Sequence, residues 1–370
     1  MIQLENLADC CGCCACASAC PQAAITMKED AMGFLYPVTD ALKCTDCGIC
    51  DSICSFRLPQ GGTSPRAEAI RFPEFLGRSQ SGGLSYALMQ KAVRNGYVVY
   101  GAAMDDMVVR HRRVENEAGL EAFRLSKYVQ SNLAGIPAMV RGDLAAGRKV
   151  LFTGTPCQCA GIVSTARGFR KNLLVADIIC HGVPGPALWK DYVASRRRMG
   201  KGDLLDAKFR DPAYGWHEAF ESFTFDTGKV KCDDYSFLYY SCLMMRPSCH
   251  RCPFTSLVRP SDITMGDCWG VEEVLPGFAD DDRGCSLMLL NTEAGEEFTR
   301  EFLSPCERKE LPLDKVMQLN LHSPSVAHKR AAAFRKTYIR KGFDTALKHF
   351  GRGAFVHRWD RFISKHFSGK

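Results

Sequence analysis

Cys10-Cys11-Gly12-Cys13-Cys14-Ala15-Cys16-Ala17-Ser18-Ala19-Cys20-Pro21 carries the spacing C-x2-C-x2-C-x3-C-P on Cys10, Cys13, Cys16 and Cys20. Cys44, Cys47, Cys50 and Cys54 repeat it, with Ser55 in place of the proline. Two such runs are a ligand pattern for a pair of iron–sulfur cubes, in which three cysteines of one run hold a cube and the fourth reaches across to the other. The expected wiring is Cys10, Cys13 and Cys16 with Cys54, and Cys44, Cys47 and Cys50 with Cys20. Two-residue spacers let successive thiolates take successive corners of one cube, and the tight turns leave backbone N–H groups to donate to the sulfurs. Zinc knuckles are the plain alternative, but a full quartet spacing found twice is too specific for cysteine-rich noise. Cys11 and Cys14 are spare neighbours whose registers do not reproduce the pattern.

Outward from that stretch, the chain has 370 residues, 46% of them apolar and 24% charged, which is a globular composition with room for two or three domains. Twenty cysteines are too many for ordinary use in a reduced compartment, and the chain is too long to need a disulfide scaffold, so metal or redox chemistry remains. Met1-Ile2-Gln3-Leu4-Glu5-Asn6 lacks the basic and apolar regions of a secretory leader, and no apolar run is long enough to span a bilayer, so a cytoplasmic protein is expected. Residues 1–56 read as a small ferredoxin-like module held together by its clusters, because metal binding in so small a core is folding energy. Gly61-Gly62-Thr63-Ser64-Pro65, with Pro59 and Pro73 around it, places a linker at 57–75.

Beyond the linker the pattern turns α/β. Leu84, Leu88 and Ala92 sit at helical spacing, Tyr97–Met104, Lys149–Thr153 and Leu173–Cys180 read as strands, and a helical stretch lies near 158–169. The expected fold is α/β (α+β overall): the module, a mixed α/β domain over 76–325, and a helical region over 326–370. Cys157 and Cys180 each follow a strand and precede a helix, so both should face the crevice at the carboxyl ends of the strands, where a helix N-terminus favours a thiolate. Cys249 and Cys252 form a detached C-x2-C pair.

Ser81-Gly82-Gly83, Ser126-Lys127-Tyr128-Val129-Gln130-Ser131, Gly154-Thr155-Pro156-Cys157-Gln158 and Cys180-His181-Gly182-Val183-Pro184 occur in that order. Arg246-Pro247-Ser248-Cys249 through Cys252, and Ser261-Asp262-Ile263-Thr264 through Gly266-Asp267-Cys268-Trp269-Gly270, follow them. Together they resemble the deazaflavin-coenzyme (F-420) hydrogenase/dehydrogenase beta-subunit family, including members with an amino-terminal ferredoxin. The resemblance implies one FAD and a third [4Fe-4S] cluster on Cys157, Cys180, Cys249 and Cys252. A structural zinc site is the alternative, since sequence does not separate metals bound by four thiolates. Cys159 lies outside the family motif, and Cys268 stands where the family more often has an aromatic residue. Cys232, Cys242, Cys285 and Cys306 read as small buried hydrophobes.

For the flavin, neither G-x-G-x-x-G nor a Walker loop is present. Ser81, Gly82 and Gly83 open a helix whose free N–H groups suit a pyrophosphate. Lys127, Gln130 and Ser131 offer a cation and donors, while Thr155 and Gln158 flank the cluster ligand. Lys127 and His181 are the candidate catalytic groups, His181 as a proton donor or as a donor to a cluster sulfur.

A formal charge of +7 invites a nucleic-acid partner, but three cubes bring about −6 with their thiolates, so none is expected. Phe355, Trp359, Phe362 and Ile363, with Arg358, Arg361 and Lys365 between them, form a basic amphipathic helix suited to peripheral contact with a membrane or an acidic partner. The expected function is an iron–sulfur flavoprotein oxidoreductase linking ferredoxin, or another redox protein, to a small two-electron substrate, a deazaflavin coenzyme being one candidate. A non-catalytic electron-transfer subunit is the alternative from another class.

Overall fold

A computed structural model describes Ile2, residues 4–56 and residues 65–353. The amino-terminal part holds an antiparallel hairpin of β1 (Ile25–Glu29) and β2 (Leu35–Thr39), with a cysteine loop before it and another after it. The two loops share one backbone signature: Gly12 and Cys14 in the first, and Asp46 and Gly48 in the second, all have positive φ. These are the second and fourth residues after Cys10 and Cys44, so the repeated spacing is also a repeated loop shape. Each loop leads into a short helix, Ala15–Ala19 and Ile49–Ser52.

The main sheet comprises β3 (Arg66–Arg71), β4 (Val98–Asp105), β5 (Val108–Val114), β6 (Val150–Gly154), β7 (Leu173–Ile178), β11 (Ile263–Asp267), β12 (Ser286–Leu290) and β13 (Glu307–Leu311). Their order is β13-β3-β12-β11-β7-β6-β4-β5. The β4/β6, β6/β7 and β7/β11 pairs are parallel and the others antiparallel, so the fold is mixed α/β. Central strands such as β12 are buried along their whole length, as layers on both faces of a sheet require. A smaller sheet, β8 (Leu204–Lys208), β9 (Glu221–Phe225) and β10 (Gly228–Cys232), stands apart in the order β10-β9-β8. No helix among the described residues is long and apolar enough to cross a membrane.

Two expectations change here. The stretch 57–75 is not linker throughout: Arg66–Arg71 is β3, paired with both β12 and β13. Its charges and the flanking Pro65 and Pro73 hide a strand whose polar residues are buried and paired, Glu68 with Arg308 and Arg71 with Asp281. Residues 57–64 lie outside the described residues. The 326–370 region contains the helix Ala331–Phe350, broken at Gly342, whose Phe334, Tyr338, Phe343, Ala346 and Phe350 join the core. The basic helix expected around Phe355–Lys365 lies outside the described residues.

The cysteine module shares that core. Met32, Phe34 and Tyr36 pack in one apolar cluster with Leu188 and Trp189 of the helix Pro186–Met199. Arg246, 1% exposed, clasps the junction: Nε donates to Cys10 O, Nη1 to Gln130 Oε1 and Nη2 to Leu35 O, each at 2.8 Å. Arg246→Lys keeps the charge but loses the fork geometry that meets three acceptors at once. It is expected to cost about 2 kcal/mol, with faster hydrogen exchange at Gly12 and along β2; unchanged exchange there would show that the clasp carries no stability.

Candidate functional site

The carboxyl ends of β6, β7 and β11 meet at one edge of the main sheet, as the α/β pattern predicts for a binding crevice. β6 runs through Gly154 and Thr155 into the helix Pro156–Thr165, with Pro156 in the first turn and Gln158 Oε1 accepting from Thr155 N (3.0 Å). That places Cys157 at a helix N-terminus. Its thiol is held down to about 7, first by a hydrogen bond from Cys11 and further by Thr155 and the Gln158 N–H, against the opposing effect of burial. Cys180 differs from expectation: the next helix begins only at Pro186, so Cys180 sits in coil, and burial pushes its thiol well up.

Cys157, Cys180, Cys249 and Cys252 converge. Cys180 feels the charges of the other three, and both Cys249 and Cys252 feel that of Cys157. Burial holds Cys249 and Cys252 at about 12, so a metal bound here must displace protons. Backbone N–H groups reach every sulfur of the set: Gln158 to Cys157, Gly182 to Cys180, Val183 and Arg246 to Cys249, and Phe254 to Cys252. An all-thiolate set fed by amide donors fits an iron–sulfur cube. Among the described residues no group of three or more His, Cys, Asp or Glu closes on a single-ion position.

The amino-terminal cysteines fall into two adjoining groups. Cys20, Cys44, Cys47 and Cys50 line one small void, and Cys47 is exposed. Cys10 feels Cys13 and Cys54, and Cys16 feels Cys10 and Cys13, which brings the second set together. Gly12 N donates to Cys10 Sγ (3.4 Å) and Ala24 N to Cys20 Sγ (3.3 Å). Cys16 and Cys50 share one small apolar cluster, so the two sets adjoin.

One junction was not visible in the spacing. Buried Cys11 has both Cys13 and Cys157 as thiol neighbours, so it stands between a module thiol and a crevice thiol. Gly161 permits the approach, since a Cβ there would lie 2.8 Å from Cys13 Cβ and 2.9 Å from its sulfur. The helix that starts at Cys157 therefore lies flush against the Cys10–Cys16 loop.

Beside the crevice quartet opens a cleft of about 550 Å³. Ser81, Gly83, Lys127, Ser131, Thr155, Gln158, Cys180 and His181 all line it, although they come from separate segments of the chain. Two predicted contacts lie elsewhere. Gln130 is spent on the module, its Nε2 donating to Cys11 O (2.8 Å) and its Oε1 accepting from Arg246. Gly82 is not on the cleft wall; it is packed where a Cβ would meet Ile70 O at 2.3 Å and Ser286 N at 2.6 Å.

Under the floor, a chain of hydrogen bonds fixes proton positions. Thr153 O only accepts, so His111 Nε2 donates to it (2.9 Å), leaving Nδ1 to accept from Ser131 Oγ (2.8 Å), which accepts in turn from Gln158 Nε2 (3.0 Å). Burial pushes His111 down to about 4, keeping it neutral. His181 is similarly committed. The Ser325 hydroxyl donates to His181 O (2.6 Å), so Nδ1 must donate to Ser325 Oγ (3.0 Å), and Nε2 faces Cys242 Sγ (3.5 Å). Its ring borders the cleft with no free N–H. Lys127 Nζ donates to Ala122 O (3.1 Å) and Arg124 O (2.7 Å), and burial lowers it to about 7. Arg210 and Asp267 close the opposite wall with an ion pair at 2.7 Å, and Trp216 Nε1 donates to the same carboxylate at 2.7 Å.

Residues 147–312 match the family described as the carboxyl-terminal part of the beta subunit of coenzyme F420 hydrogenase/dehydrogenase. All four crevice cysteines fall in that span, and the two amino-terminal quartets fall outside it. No curated protein matches the sequence. A chain of the F420-reducing [NiFe] hydrogenase complex from Methanosarcina barkeri is similar in structure, at 15% identity and a TM-score of 0.47, covering 80% of this chain and 98% of that one.

Proposed function

We propose, from the premise that this chain belongs through residues 147–312 to the coenzyme F420 hydrogenase/dehydrogenase beta-subunit family, that it is an iron–sulfur flavoprotein oxidoreductase. One observation carries the reading: the three thiol quartets adjoin in a row that starts at exposed Cys47 and ends at Cys180, which is itself a wall of the cleft. Such a row suits single electrons delivered at the surface by a ferredoxin or another redox partner. FAD in the cleft would match one-electron carriers to a small two-electron substrate, with a deazaflavin coenzyme as one candidate. Ser81 and Gly83, at the start of the helix Leu84–Arg94, would hold its phosphates, and Lys127 would supply a cation.

The protein's part is positional. Cys11 and Gly161 hold the module loop against the crevice helix, and the chain from His111 through Ser131 to Gln158 and Thr155 keeps the helix start in register with Cys157. Anaerobic preparation with iron, sulfide and flavin quantified together tests the proposal, with about twelve irons and one flavin per chain expected. About twelve irons with no flavin would leave an electron-transfer subunit; zinc in place of iron would overturn the proposal.

The depressed Lys127 gives a pH prediction. Near pH 7 and above it the free lysine loses its proton, whereas a bound pyrophosphate restores it, so binding takes up a proton. FAD affinity for flavin-depleted protein should therefore be level below pH 7 and weaken above it, by up to about tenfold per pH unit. Lys127→Met should be weaker at pH 6.5 by about 1–3 kcal/mol and lose that slope; a variant titration that kept the slope would place the titrating group elsewhere.

A further inference from the structure

We propose that Cys268 and Cys285 form a reversible dithiol–disulfide couple beneath the cleft wall, separate from the three metal-type quartets. β11 and β12 pair antiparallel with Asp267 opposite Ser286, so the next step of the register sets Cys268 opposite Cys285. Cys268 N donates to Cys285 O at 2.9 Å across that step. Directly opposed residues of a hydrogen-bonded pair lie about 5.5 Å apart at Cα, inside the range of about 4.4–6.8 Å that a disulfide spans. Both side chains are fully buried in the same apolar cluster, where each thiol is the other's neighbour. The Cys285 thiol is pushed far up by its Cys268 neighbour and by burial.

The pair is one residue from the cleft on both strands. Asp267 and Trp269 flank Cys268, Ser286 follows Cys285, and all three line the cleft; Ser81, also on the wall, donates to Cys285 O at 2.7 Å. A low-molecular-weight disulfide is the oxidant, and it meets the buried pair when the strand ends bordering the cleft open. One cysteine of the pair attacks one of its sulfurs and expels one thiol, then the other attacks the mixed disulfide and expels the second. One S–S bond is broken and one formed; the small disulfide is reduced by the two electrons that the cysteines lose, and it carries away their two protons. Closure would fix the strand ends that present Asp267, Trp269 and Ser286.

The test equilibrates anaerobic holoprotein with glutathione buffers of increasing oxidised fraction, followed by acid quench, alkylation in denaturant and peptide mass analysis. The expected result is a joined pair of peptides containing Cys268 and Cys285, about 2 Da lighter than the two thiol peptides together, in most chains at the oxidising end, and separated again by an added dithiol. Cys268→Ser should leave Cys285 alkylated at every ratio. Complete alkylation of both cysteines in the wild-type protein, or pairing of either with another cysteine, would overturn the proposal. The readout is a peptide mass, so it fails separately from the flavin and electron-path reading on which only the pair's functional setting rests.

Discussion

Cys249→Ala is expected to lower iron from about twelve to about eight atoms per chain, to leave bound flavin in place, and to slow flavin reduction by an external reduced ferredoxin at least about 100-fold. Cys249 belongs to the crevice quartet but does not line the cleft, so the flavin contacts survive the change. Its removal leaves three thiols, two of them, Cys180 and Cys252, held protonated by burial, which are poorly placed to retain a cube without the fourth. The amino-terminal quartets lie on the other side of Cys11 and should keep their eight irons, so paramagnetic signals from them persist after reduction. A soluble chemical reductant that reaches the cleft directly should still bleach the flavin at the wild-type rate. Cys252→Ala should behave the same way. Full iron content in both variants, or undiminished reduction by ferredoxin, would mean that electrons do not pass through this quartet.

The shape of the two cysteine loops was legible because short, repeated spacers between cysteines leave the backbone few paths, and both loops take the same one. The parallel strands were legible for a similar reason: Val150–Gly154 and Leu173–Ile178 are buried on both faces and read as continuous apolar runs. β3 was not, since Glu68 and Arg71 are buried polar residues whose partners, Arg308 and Asp281, lie more than two hundred positions away. The same blindness misplaced Gln130. Its neighbours Lys127 and Ser131, read with it as flavin contacts, line the cleft, but the Gln130 side chain turns to Arg246 and Cys11 on the far side. Cys11 looked spare because the spacing rule counts ligands, whereas its place between Cys13 and Cys157 depends on how the module docks. The local sign was Gly161, a glycine inside a helix one turn after Cys157, which costs helix stability and so signals a close approach.

Arg259→Met should destabilise the protein by about 3–5 kcal/mol, the usual result of removing one partner of a buried ion pair. Arg259 and Asp177 have fully buried side chains and meet at 2.9 Å. The guanidinium also donates to Phe254 O (2.7 Å), Ile178 O (2.9 Å) and Thr264 Oγ1 (3.2 Å), tying β7 and β11 to the segment that follows Cys252. Burial raises the Asp177 pKa in spite of Arg259, so desolvation outweighs the attraction and the pair is a poor source of net stability. Its loss on one side is nevertheless severe, because methionine leaves Asp177 to take a proton or remain an uncompensated charge, and leaves the Phe254 and Ile178 carbonyls without this donor. The double variant Arg259→Met/Asp177→Leu should recover a large part of the deficit by removing both charges. Anaerobic denaturant titrations of the single and double variants measure this directly. If the double variant is as unstable as the single one, the missing carbonyl donors rather than the orphaned carboxylate set the cost, and Arg259 serves chiefly to position the backbone around Cys180 and Cys252.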